Sequence, residues 1–252
     1  MFGFNKKEVS VQEQMAEEKA QQEERWDKNT RKLKLGVVLA TIMLVLYNGL
    51  LFFRPETGNT TQMLICVLFL VIAMALAFFC NTNYTRGISR FSNCFEKGGK
   101  RALHLVRWAF WLTGAGVVLQ LIIAYMFLKP TTEAVEFKFL WILIANSLII
   151  VATIVSVMSF LSLSTSKGMP DRSRRGALHM SWTSLLLMAG AILLTIAINI
   201  DNTFVKIATI VVNFTGIYFY YKNWDRILNP NKPEKVEIDP VTQEEETPNQ
   251  AQ

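Results

Sequence analysis

Lys138–Ser162, KFLWILIANSLIIVATIVSVMSFLS, is the stretch on which the fold class turns. No charged side chain follows Lys138 until Lys167. A helix of roughly 20 mainly apolar residues crosses a hydrocarbon core about 30 Å thick, because each residue rises about 1.5 Å. The run is long enough. It also lacks the charged stripe that a helix at a water-exposed surface repeats every 3.6 residues.

Five further stretches share these properties, giving spans at about 35–53, 62–80, 107–128, 138–162, 178–199 and 203–222. Charges inside them stay near the ends, at Arg107, Lys138 and Lys206. With 51% apolar residues in 252, the pattern predicts an all-α, polytopic membrane protein with six transmembrane helices. Residues 1–34 read as a charged helical leader on the cytoplasmic side and 35–224 as the transmembrane domain. Residues 225–252, rich in proline and glutamate, read as a disordered cytoplasmic tail.

Orientation follows from basic residues, which are enriched in cytoplasmic loops. Of the 26 lysines and arginines, all but Arg54, Lys129, Lys138 and Lys206 fall on one alternating set of segments. That set holds both termini. The expected arrangement is three hairpins with short outer connections, in the plasma (inner) membrane, with both ends cytoplasmic. The same bias accounts for the net charge of +6 without nucleic acid. Three hairpins invite comparison with mitochondrial carriers, but their Pro-x-acidic-x-x-basic signature is absent.

A weak internal repeat runs parallel rather than inverted. Ala102-Leu103-His104 and Ala177-Leu178-His179 precede the third and fifth spans at an offset of 75 residues. At that offset Gly114-Ala115-Gly116 aligns with Ala189-Gly190-Ala191, and Gln120 with Thr195. The small residues Gly114, Gly116 and Gly190 are expected to let helices pack closely.

Ionisable groups within a span are the usual marks of function in membranes, and mid-membrane positions here have none. What remains is a neutral layer of Asn48, Gln120, Asn146, Thr195 and Asn213, able to join helices or to line a path. Lys100, Arg101, His104, Arg174, Arg175 and His179 form a basic inner rim suited to anionic headgroups or a protein partner. The two histidines lack acidic or thiol partners at ligand spacing, so neither metal nor cofactor is expected. In the leader, Val11, Met15 and Trp26 would anchor a docking helix. Residues 87–97 place Ile88, Phe91, Cys94 and Phe95 on one arc, as in a short helix lying on the inner leaflet, with Gly98-Gly99 as its stop.

No phosphate loop, His-Glu-x-x-His or Gly-x-Ser-x-Gly motif occurs, so an enzyme is not expected. The first functional expectation is a non-catalytic subunit or scaffold of a membrane complex. Its partners would be the lipid bilayer and either another protein or a second copy of this chain. The alternatives are a small-solute transporter or channel and, third, a membrane-embedded enzyme acting on lipids. On this topology, engineered cysteines near Glu56, Thr132 and Asn202 should react with an impermeant thiol reagent in intact cells. Those near Ser92, Ser173 and Glu245 should stay unlabelled.

Overall fold

The structure, a computed structural model, describes residues 6–52, 60–126, 132–199 and 202–231. Its helices are α1 (Lys6–Phe52), α2 (Thr60–Phe91), α3 (Lys97–Met126), α4 (Thr132–Ser164), α5 (Asp171–Asn199) and α6 (Thr203–Leu228), with a short 3-10 turn at Ser92–Cys94. All six helices are long and apolar enough to cross a membrane. Their flanks expose large apolar side chains such as Leu64, Met74, Met158 and Phe204. A water-soluble monomer rarely tolerates so continuous an apolar surface.

Neighbours in sequence are neighbours in space. The most extensive contacts join α1 to α2, α3 to α4, and α5 to α6. Contacts of α4 with α5 and of α1 with α6 link these pairs, whereas α2 and α3 touch only slightly. The helices therefore form an incomplete ring, open between α2 and α3.

The continuous core lies at the end where α1 passes Trp26 and α6 finishes. All six helices feed it: Trp26 and Leu33 from α1, Ile88 and Phe91 from α2, Leu103 from α3, Phe160 and Leu163 from α4, Met180 from α5, and Trp224 and Leu228 from α6. Trp26 meets Phe91 and Phe95 edge-on at centroid distances of 5.0 and 5.7 Å, and Trp224 meets Phe160 at 5.6 Å. Edge-to-face pairs of this kind add about 0.5–1.5 kcal/mol beyond the area they bury.

The end of α6 is tied down because the last carbonyls of a helix lack intrahelical donors. Trp26 Nε1 donates to Leu228 O at 3.2 Å, and Ser173 Oγ donates to Ile227 O at 2.9 Å. At its start, Asn202 Oδ1 accepts from the amides of Phe204 and Val205 at 2.9 and 3.3 Å, an ordinary N-cap. Two glycines set the α1–α2 spacing. A Cβ on Gly36 would lie 2.6 Å from the Tyr84 nitrogen, and one on Gly87 would lie 2.6 Å from the Leu33 Cα. Only bare backbone fits there.

Several expectations change. The arc Ile88, Phe91 and Phe95 is buried in the chain's own core, not laid on a lipid surface, because Trp26 and Leu103 cover it. Gly98 and Gly99 do not end a helix. They sit in the first turn of α3, where a Cβ on Gly99 would collide with Phe95. The stretch assigned to a disordered tail begins as helix: α6 continues to Leu228, with Trp224, Ile227 and Leu228 buried. Residues 232–252 lie outside the described residues. Ser173 is fully buried, so Arg174, which is exposed, is the better reporter of that loop's accessibility.

Candidate ligand cavity

Beyond the packed end, the six helices diverge around a cavity of about 890 Å³. Every helix contributes to its wall: Ala40 from α1, Ala73 from α2, Ala109 from α3, Ala152 from α4, Met188 from α5 and Asn213 from α6 are examples. The wall is mostly apolar, and among the described residues no charged side chain belongs to it. Toward the packed end it includes Tyr84, Phe160, Met180 and Tyr220. Tyr84 stacks on Phe110 at 4.3 Å between centroids, which closes the α2–α3 gap at that level.

Farther along, four side chains from four helices are hydrogen-bonded together. The Tyr47 hydroxyl of α1 donates to Gln120 Oε1 of α3. Gln120 Nε2 in turn donates to Asn146 Oδ1 of α4 at 2.9 Å and to Thr195 Oγ1 of α5 at 3.0 Å. The Gln120 amide is thereby used at both ends, which fixes its orientation. Interhelical bonds in apolar surroundings contribute about 0.6 kcal/mol each, at most about 1.7. Tyr47 borders the cavity with its ring while its hydroxyl holds this network.

The remaining members of the expected polar layer behave differently. Asn213 is buried on α6 and donates to Gly190 O at 3.3 Å, joining α6 to α5. Asn48, 6% exposed, donates from Nδ2 to Leu44 O of its own helix at 2.8 Å. Its Oδ1 is buried without a hydrogen-bond partner, as is Asn81 Oδ1 on α2. Both residues line the cavity. Asn81 is a functional candidate that sequence reading missed, because it stands at the edge of the second apolar block. Tyr47 was missed because a tyrosine near a span end reads as an interface aromatic.

The small residues divide. Gly116 packs on α4, where a Cβ would come 2.7 Å from Ile149 Cγ1, and Gly190 packs directly against the Asn213 amide. Gly114 does not serve helix packing: no atom lies within 4 Å of its Cβ position, and it borders the cavity. Lys100, Arg101, His104, Arg174, Arg175 and His179 are all exposed, on the first turns of α3 and α5 at the packed end. His104 Nε2 accepts from Trp108 Nε1 at 3.3 Å. Among the described residues no three His, Cys, Asp or Glu side chains gather to hold a metal. Trp26, expected as the leading anchor of a docking surface, is 8% exposed and engaged within the chain. Val11 and Met15 belong to α1 but lie outside the described side chains.

No family model matches this chain, and neither a curated protein nor a solved structure matches it. The chemistry of the site rests on its geometry alone.

The network gives a direct test. In a double-mutant cycle on the purified protein, Tyr47→Phe and Gln120→Leu should be non-additive, with a coupling energy of about 0.6–1.7 kcal/mol in thermal or denaturant unfolding. Additive effects would mean that the two side chains do not share a bond.

Proposed function

We propose that this chain is a multi-pass membrane protein of the plasma membrane, with both termini cytoplasmic, that binds and passes a small, neutral, mostly apolar molecule. The observation that carries this reading is the cavity of about 890 Å³ bordered by all six helices and, among the described residues, by no charged side chain. Sites for small organic ligands are typically concave, about 300–1,000 Å³, and mainly apolar with a few placed polar groups. Binding and passage need no nucleophile or proton shuttle, in keeping with a wall of apolar and neutral polar side chains. The basic residues of the chain's exposed ends support the cytoplasmic orientation through the positive-inside bias.

The internal repeat gains support from the same site. Gln120 and Thr195, equivalent at the 75-residue offset, are hydrogen-bonded to each other. Two helix pairs descended from one unit would bring equivalent positions together near the axis relating them.

A second reading, the non-catalytic subunit, is favoured by α1. From Lys6 to Trp26 this helix continues for about 30 Å at about 1.5 Å per residue. Glu17, Gln21, Glu23, Glu24 and Arg25 stand exposed on it. A partner meeting this arm would contact its charges, since Trp26 is already engaged.

Native mass spectrometry of the protein released from gentle detergent separates the two. On the first reading the wild type carries a small molecule at about one per chain. Gly114→Trp, which fills the cavity from a position with open space, loses that molecule while melting like wild type. A protein partner that is lost on deleting residues 8–24, which leaves Trp26 in the core, with no small molecule on either variant, would replace this reading with the second.

A further inference from the structure

The cavity is open on one side. Among the described residues, those of its wall that are well exposed all lie on α2 or α3: Ala77 and Phe78 on the first, and Trp111, Ala115, Val118 and Ile122 among those on the second. Phe78 is 68% exposed and Val118 55%, yet both belong to the wall. The slight contact between α2 and α3 is therefore a slot in the side of the bundle, at the depth of the apolar spans. Tyr84 stacked on Phe110 closes it toward the packed end. A slot that faces a bilayer fills with lipid tails, which are as apolar as its walls. Which lipid stays there depends on what stands beside the slot at headgroup level.

On α3 that neighbour is positive. Lys100, His104, Arg107, Trp111, Ala115 and Val118 follow one another at steps of three or four residues, so they share one face of the helix. The face that borders the slot therefore carries cations toward the packed end. Lys100 is exposed and Arg107 half-buried. Trp108 and Trp111, 56% and 48% exposed, stand beside and beyond them, as amphipathic rings do at the boundary of lipid and water. Helix α3 contains no acidic residue, and none of its side chains is ion-paired among the described residues. Glu96, just before the helix, is the one acidic neighbour in sequence of Lys97, Lys100, Arg101 and Arg107. Arg174, exposed at the same end, differs on both counts: it pairs with Asp171 at 3.7 Å and stands on α5, which does not border the slot.

We propose that an anionic phospholipid occupies the slot, its phosphate on Lys100 and Arg107 and one acyl chain between Phe78 of α2 and Ala115 and Val118 of α3. From Arg107 to Val118 is roughly 16 Å along the helix at about 1.5 Å per residue, close to half of a hydrocarbon core about 30 Å thick. A tail whose headgroup is held at Arg107 therefore runs the length of the slot as far as Val118. A zwitterionic lipid meets the same walls but brings no net charge to the two cations. Free phosphate meets the cations without the walls. The site lies at the border of the cavity and goes beyond the small-molecule reading: it names what closes the open side, whatever fills the interior.

The test uses the full-length protein in phosphatidylcholine nanodiscs that contain phosphatidylglycerol with a photoreactive diazirine on one acyl chain. Phosphatidylcholine with the same reactive chain is the control. The anionic probe should label α2 and α3 around Phe78 and Val118 saturably, and the control should not. Lys100→Gln and Arg107→Gln should each raise its half-saturating mole fraction about five-fold, the effect of one cation beside an anionic lipid. Arg174→Gln should leave labelling unchanged. Should Arg107→Gln fail to fold, Lys100→Gln and competition on the wild type decide: unlabelled phosphatidylglycerol displaces the probe, whereas unlabelled phosphatidylcholine does not. Displacement by inorganic phosphate, beyond that by chloride of equal ionic strength, would overturn the lipid source. Equal labelling by both probes, or equal loss from all three substitutions, would overturn headgroup recognition at the slot. Anionic labelling spread over all six helices would overturn the site itself. In each of these cases protein that still carries a small molecule by mass spectrometry keeps the cavity reading. Saturable labelling of the slot in protein without a small molecule would sink that reading and leave the lipid site standing.

Discussion

The aromatic cluster around Trp26, Phe91, Phe95 and Trp224 is the constraint on which the remaining structure depends. Lipid tails are as apolar as leucine, so burying apolar surface gives no general driving force for helices to associate in a bilayer. They hold together where shapes interlock and polar groups find partners. Here that happens chiefly at one end. Rings and branched side chains from all six helices interdigitate there, and Trp26 and Ser173 pair the last carbonyls of α6. With one end fixed, the helices need not meet along their full length, and the opposite part of the bundle encloses a cavity.

The cavity stays defined because a second, weaker set of contacts spaces its walls. Tyr47, Gln120, Asn146 and Thr195 link α1, α3, α4 and α5. Asn213 and Gly190 fix α5 against α6, and Gly116 brings α3 onto α4. Helix α2 has no part in that network. Its close backbone approach is to α1, through Gly36 and Gly87 toward the packed end. A helix held on one side and at one end is the natural border of an opening, which is where the exposed wall residues lie.

Hydropathy made the helices legible, because length without charge is all that a span demands. The neutral layer was legible in part. Gln120, Asn146 and Thr195 stand out as polar groups in apolar runs, and they do meet. Hydropathy does not say which face of a helix points inward, however. Asn48 looked equivalent to Gln120 yet bonds its own helix, leaving its Oδ1 buried without a hydrogen-bond partner. Gly114 looked equivalent to Gly116 yet borders empty space. The amphipathic arc at 88–95 and the lone Trp26 each read as surface features seeking outside partners. They are partners of one another, separated by more than 60 residues of sequence, and nothing local marks such a pairing.

The central claim is that α2 and α3 stand apart beside the cavity while the other neighbouring helices are packed. Spin-label distance measurement in nanodiscs tests it most directly. One pair of labels replaces Phe78 on α2 and Val118 on α3, and a reference pair replaces Val118 and Leu143, on the packed helices α3 and α4. Packed helices have axes about 8–10 Å apart. The slot requires the α2–α3 distribution to be longer or broader than the α3–α4 distribution. Two distributions of the same short mean and width would show the ring closed, and the cavity without its entrance.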